Sequence, residues 1–60
     1  MSKFIKLNRV FSNGDVKESV FNCDSIISMY RDGDYTKIIT VKDTFTVKES
    51  IAQILGMINS

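Results

Sequence analysis

Val47-Lys48-Glu49-Ser50-Ile51-Ala52-Gln53-Ile54-Leu55-Gly56-Met57-Ile58 is the stretch that decides the fold of this 60-residue chain. Up to Val47 the apolar residues recur at every second position, the spacing of a pleated strand. From Ile51 onward they fall at Ile51, Ile54, Leu55 and Ile58, the i, i+3, i+4, i+7 stripe of an amphipathic helix. Ser50 suits the N-cap, and Gln53 three residues later completes a capping box. Glu49 lies where the positive helix end favours an anion, although it precedes the cap. Gly56 weakens the helix by about 1 kcal/mol relative to alanine, so it marks either a loose terminus or a close backbone approach. A helix over 50–58 is too short to hold itself and must dock.

Working back from that junction, the pattern predicts strands over about 3–11, 16–22, 26–31, 35–41 and 44–47. In the first, Ile5, Leu7 and Phe11 share one side and Lys6 and Asn8 the other. Asn13-Gly14 supplies the positive φ of a tight hairpin turn. The second strand brings in Val16, Val20 and Phe21. Asn22-Cys23-Asp24-Ser25 breaks the alternation and reads as a turn or a single helical turn, because these side chains bond nearby backbone groups. Ile26-Ile27-Ser28-Met29-Tyr30 is apolar on both faces, which predicts a strand that is central or covered from both sides. Asp32-Gly33 makes the second hairpin turn, and Lys42-Asp43 a weaker third. The expected fold is α+β: a small, curved antiparallel sheet of four or five strands with one C-terminal helix.

Composition bounds what such a chain can be. A domain of this size buries only about 60% of the surface its unfolded chain exposes, and small domains usually need a staple. Cys23 is the only cysteine, so an internal disulfide is impossible. Without histidine, one thiol and scattered carboxylates cannot build a tetrahedral zinc site. Self-association is the remaining staple. The chain is 43% hydrophobic, more than one sheet under a short helix can cover, so a homo-oligomer is expected; the opposing reading is a monomer with a few exposed aromatics. The net charge of +1 points to neither nucleic acid nor membrane. No apolar run approaches the roughly 20 residues of a membrane span, and no signal-peptide pattern opens the chain. The expected location is therefore the cytoplasm, the host's if the source is viral.

No catalytic constellation stands out. A Ser-His-Asp or Cys-His arrangement needs histidine, and Asp24 beside Cys23 disfavours a reactive thiolate. Asp32-Gly33-Asp34 lacks the spacing and terminal glutamate of a calcium loop. Ser12-Asn13-Gly14-Asp15 lacks the lysine of a phosphate loop. The candidate ligand-binding residues are the early cations Lys3, Lys6 and Arg9, with Tyr30, Arg31 and Tyr35. Repeated around a symmetric oligomer, these cations would form an anion pocket and the tyrosines would stack on a base. The same cations also suit a solvated strand edge, where lysine blocks unwanted pairing.

Phe4-Ile-Lys-Leu-Asn-Arg9, Val20-Phe-Asn-Cys-Asp-Ser-Ile26, Ile38-Ile-Thr-Val41 and Val47-Lys-Glu-Ser50 together resemble the flagellar FlbD-like family of small bacterial proteins, including its relatives in phages and non-flagellated gut bacteria. The resemblance spans nearly the whole chain. Two departures stand out: Phe11-Ser12 lengthens the first hairpin before Asn13-Gly14, and Lys42-Asp43 replaces the family's common Asn-Gly. The resemblance implies this fold and carries no catalytic residues.

The sequence thus leads to a non-catalytic, homo-oligomeric binding module that needs no cofactor or metal. Its partners would be further copies of itself and a nucleotide-type small molecule or another protein. A more specific alternative is a phage sponge that sequesters a nucleotide immune signal between subunits. A nucleic-acid-binding or regulatory adaptor is a different class, marked by binding that weakens steeply with salt.

Overall fold

The computed structural model describes residues 3–60. Five strands form one antiparallel sheet: β1 (Phe4–Val10), β2 (Val16–Asn22), β3 (Ile26–Asp32), β4 (Tyr35–Thr40) and β5 (Thr44–Val47). Their order across the sheet is β2-β1-β5-β4-β3, and the helix α1 (Ile51–Ile58) follows β5. This is the α+β arrangement that the two periodicities predict.

Residues opposite one another in an antiparallel ladder share a face. Ile5 lies opposite Phe21, Arg9 and Thr36 opposite Val47, and Ile38 opposite Phe45, which defines the inner face. Ile5, Leu7, Phe21, Ile38 and Val47 are buried there, and α1 closes the cluster with Ile54, which is 0% exposed. Met57 and Ile58 pack against the same cluster. Leu55, the third residue of the predicted stripe, is exposed. The helix therefore anchors chiefly through Ile54, a burial worth about 1.5–3 kcal/mol. The sheet curls enough for Phe21 of β2 to meet Phe45 of β5 edge-to-face at 5.4 Å, across the intervening β1.

Strands β3 and β2 both differ from the sequence expectation. The apolar run of β3 does not lie at the centre; β3 is an edge strand. A bulge between Ile26 and Ser28 takes Ile27 out of the alternation, so Ile26 and Met29 both pack on the core while Ile27 is 65% exposed. In β2 only Phe21 reaches the core. Val16 and Val20 lie opposite Val10 and Lys6 on the outer face and are exposed.

The turns follow the glycines with small shifts in register. Gly14 (φ 91°) is left-handed but Asn13 is not, so the loop is not the two-residue turn that Asn-Gly suggests. The Gly14 amide donates to the Phe11 carbonyl (2.9 Å) and the Phe11 amide to the Asp15 carbonyl (2.8 Å), giving a three-residue loop with glycine as its left-handed member. The second turn centres on Gly33-Asp34 rather than Asp32-Gly33, with positive φ at Gly33 alone (60°), the pattern of a turn that takes glycine first. At the third, the Thr40 hydroxyl donates to the Asp43 carbonyl (2.8 Å) and accepts the Asp43 amide (3.1 Å). That hydroxyl does what an Asn-Gly pair would do elsewhere. Asn22 caps a single 3-10 turn at Cys23–Ser25, accepting the Asp24 amide, as the Asn-Cys-Asp-Ser run predicts.

The Val47–Ser50 junction is held from both sides. Lys48 still pairs with β1, its amide donating to the Asn8 carbonyl (3.0 Å). One residue on, the chain leaves the sheet, and the Glu49 carboxylate takes over: its two oxygens accept the Asn8 amide at 2.9 and 3.1 Å, and Oε2 also accepts Asn8 Nδ2 at 2.9 Å. The Glu49 carbonyl accepts the hydroxyl of buried Thr36 (2.7 Å). Glu49 is therefore a clasp between β1, β4 and the helix start, not the dipole partner that its position suggests. Ser50 then caps α1, and both bonds of the capping box with Gln53 are formed.

Candidate functional site

The six candidate binding residues separate into four places. Lys3 lies at the helix end: its Nζ donates to the Ile58 carbonyl (3.0 Å) and to Ser60 Oγ (3.2 Å), neutralising the negative pole of α1. Lys6 and Tyr30 stand on the outer face, opposite Val20 and Lys37 respectively, and are exposed. They do not meet. Arg9 lies on the inner face, where its guanidinium carbon is 4.3 Å from the Phe11 ring centroid and 4.5 Å from that of Phe45. A cation held between two aromatic faces gains about 0.5–2 kcal/mol. This half-buried stack extends the core past the reach of the helix, and it borders two shallow hollows of about 360 and 440 Å³.

Lys3, Lys6 and Arg9 thus form no shared anion pocket within one chain. Strand alternation puts Lys6 on the opposite face from Arg9, and Lys3 precedes β1 and is engaged by the helix end.

Arg31 and Tyr35 do come together, at the β3–β4 turn. They line a cleft of about 450 Å³ with Asp34, Lys48, Ser50 and Gln53. The turn contributes Arg31, Asp34 and Tyr35; the β5–α1 junction contributes Lys48 and the first turn of the helix. Arg31 is steadied by its Nε donating to the Gly33 carbonyl at 3.1 Å. Its Nη donors are the ones that suit bidentate recognition of a carboxylate or phosphate. Lys48 adds a second positive charge and Asp34 a carboxylate that selects against a purely anionic ligand, while Tyr35, opposite Asp32 on the outer face, borders the cleft at its rim. The arrangement brings two cations and a carboxylate to the wall of one cleft.

Lys48 is the cleft residue that charge patterning misses. It stands alone between Val47 and Glu49, far along the chain from Arg31, and only the β5-β4-β3 order brings the two together. Thr36, opposite Arg31 in the ladder, sets the cleft's floor through its bond to Glu49.

Among the described residues, no group of three or more His, Cys, Asp or Glu is placed to hold a metal ion, and no helix is long and apolar enough to cross a membrane. Cys23 is half-buried in the 3-10 turn. No protein-family model, curated protein or solved structure matches this chain.

Proposed function

We propose that the protein is a non-catalytic binding module that works as a homo-oligomer and takes a small anionic, base-bearing ligand. The observation that carries the oligomeric part is the uncovered outer face of the sheet. Phe4, Val16, Val20, Tyr30 and Tyr35 are each at least 41% exposed there, with no described element packed over them. On a domain with six buried apolar side chains in its core, that much exposed apolar surface exceeds scattered surface hydrophobics and marks an interaction face.

The cleft of Arg31, Tyr35 and Lys48 supports the ligand part. A guanidinium and an ammonium suit a nucleotide phosphate, with the base reaching over the rim to the tyrosine. A sponge for a nucleotide signal is the sharper form of the same reading. It is favoured by the small chain, which would give many such clefts per unit mass. The resemblance to FlbD-like proteins and their phage relatives fits a small bacterial or phage module of this kind.

Calorimetric titration tests the ligand part, using a panel of mono-, di- and cyclic nucleotides with inorganic phosphate as the anion-only arm. A nucleotide should bind and phosphate should bind far more weakly; Arg31→Ala and Lys48→Ala should each abolish the binding. Flat titrations across the whole panel would remove the ligand part. Heat that persists in Arg31→Ala would place the ligand elsewhere.

A further inference from the structure

We propose that the homo-oligomer, as read above, also pairs its sheets edge to edge: the free edge of β2 lies antiparallel to β2 of a second copy about a two-fold axis through Ser19, a contact that leaves the outer face free for a further one. The hydrogen bonds that flank the β1–β2 ladder fix which groups that edge presents. The Phe11 amide donates to the Asp15 carbonyl, and the Cys23 amide to the Lys3 carbonyl. In an antiparallel ladder the amide and carbonyl of every second residue point to the same neighbour. The odd-numbered residues of β2 therefore bond β1, and Val16, Glu18, Val20 and Asn22 direct their amides and carbonyls outward. Among the described residues no strand receives them, because β2 ends the sheet.

The two edges of the sheet are not equivalent. β3 carries the bulge at Ile26–Ser28, its Ile26 amide is spent on the Cys23 carbonyl, and α1 packs against it. These are the usual devices that blunt an edge. β2 has no bulge and no helix packed against it, and its only such device is the charge of Lys17 and Glu18. Its register with β1 runs unbroken from Asn22 to Val16, the chain contains no proline, and Val20 on the edge is 59% exposed. A regular, unpaired edge is a template for another strand.

The sequence of β2 selects a second copy as that strand. Centred on Ser19, a two-fold pairing matches the whole of Val16–Asn22 with itself. Val16 and Asn22 of the partner then exchange backbone bonds, as do Glu18 and Val20 of the partner. On the inner face Lys17 lies opposite Phe21 of the partner, which suits a lysine stem over an aromatic ring. On the outer face Val16 and Val20 of both copies fall on adjacent diagonals and join into one apolar strip. No like charges stand directly opposite. Centring one residue earlier sets Glu18 against Glu18, and one residue later leaves Val16 and Lys17 with no partner inside the strand. Glu18 also has Lys6 as a diagonal neighbour on its own outer face, which offsets the remaining diagonal Glu18–Glu18 approach. The result is a continuous double-length sheet with both helices on one side and both apolar outer faces on the other.

Disulfide trapping tests this register. In a Cys23→Ser background, Ser19→Cys puts a thiol directly opposite its two-fold mate, while Lys17→Cys puts its thiols four positions out of register. Mild oxidation should convert Ser19→Cys to a covalent dimer many-fold faster than Lys17→Cys. Sedimentation of Val20→Pro, which removes an outward amide and no bond to β1, gives an independent reading. It should shift the chain to a lighter species with its circular dichroism retained. Equal cross-linking of the two variants, or an oligomer that survives Val20→Pro unchanged, would overturn the β2 interface and leave the homo-oligomer standing. A wild-type chain that sediments as a monomer from micromolar to millimolar concentration would overturn both.

Discussion

Replacing Glu49 with alanine separates the sheet from the helix at the point where the chain changes periodicity. The carboxylate accepts two donors of Asn8, the backbone amide and the side-chain amide, at 2.9–3.1 Å. Hydrogen bonds to a charged group contribute about 1.5–3 kcal/mol. The bonds sit at a wet strand edge where water can replace the carboxylate, so the loss belongs near the bottom of that range, about 1.5 kcal/mol. For a domain this small, with a urea m-value of about 1 kcal/mol per molar, the unfolding midpoint should fall by about 1.5 M. Glu49→Gln keeps one carbonyl acceptor and should lose about half as much. Asn8→Ala removes only the side-chain donor and should cost about 0.5 kcal/mol. The double variant should cost less than the sum, because the two residues share a bond. Urea titration followed by circular dichroism reads all four chains. If Glu49→Ala unfolds at the wild-type midpoint, or no earlier than Asn8→Ala, the clasp contributes nothing and the reading of the junction is wrong.

Three further outcomes follow from the same packing. Thr36→Val keeps the shape of a side chain that is 2% exposed but strands the Glu49 carbonyl; it should cost about 1–3 kcal/mol in the same titration. Gly56→Ala should stabilise by up to about 1 kcal/mol, since nothing lies within 4 Å of the added methyl. A thermal melt no higher than wild type would mean that a neighbouring copy covers that position. Lys3→Met removes the cation from the C-terminal end of α1 and should lower stability by about 0.3–1 kcal/mol, an effect that shrinks in high salt. Equal loss at low and high salt would show that packing rather than charge is at work.

The elements were legible because each rests on local rules. The change from period two to the helical stripe marks the junction, and Ser50 with Gln53 forms the capping box that their spacing announces. What the sequence concealed was decided by tertiary order. The apolar run of β3 reads as central or covered from both sides, yet one bulge at Ile27 redistributes its faces and lets it sit at the edge. The Thr40 hydroxyl replaces turn chemistry that a search for Asn-Gly cannot see. The candidate site divides the same way. Arg31 and Tyr35 share a hairpin and meet, whereas Lys3, Lys6 and Arg9 share a stretch of sequence and disperse. Lys48 joins the cleft only because β5 and β3 flank β4.

A sheet with one blunted edge, one free edge and an uncovered apolar face should not exist as a lone chain in solution. Native mass spectrometry of the full-length protein, carried out with and without the nucleotide panel, measures subunit number and retained ligand together. The account predicts an even-numbered homo-oligomer that gains one ligand mass per cleft. A monomer with no added mass at every concentration would contradict it.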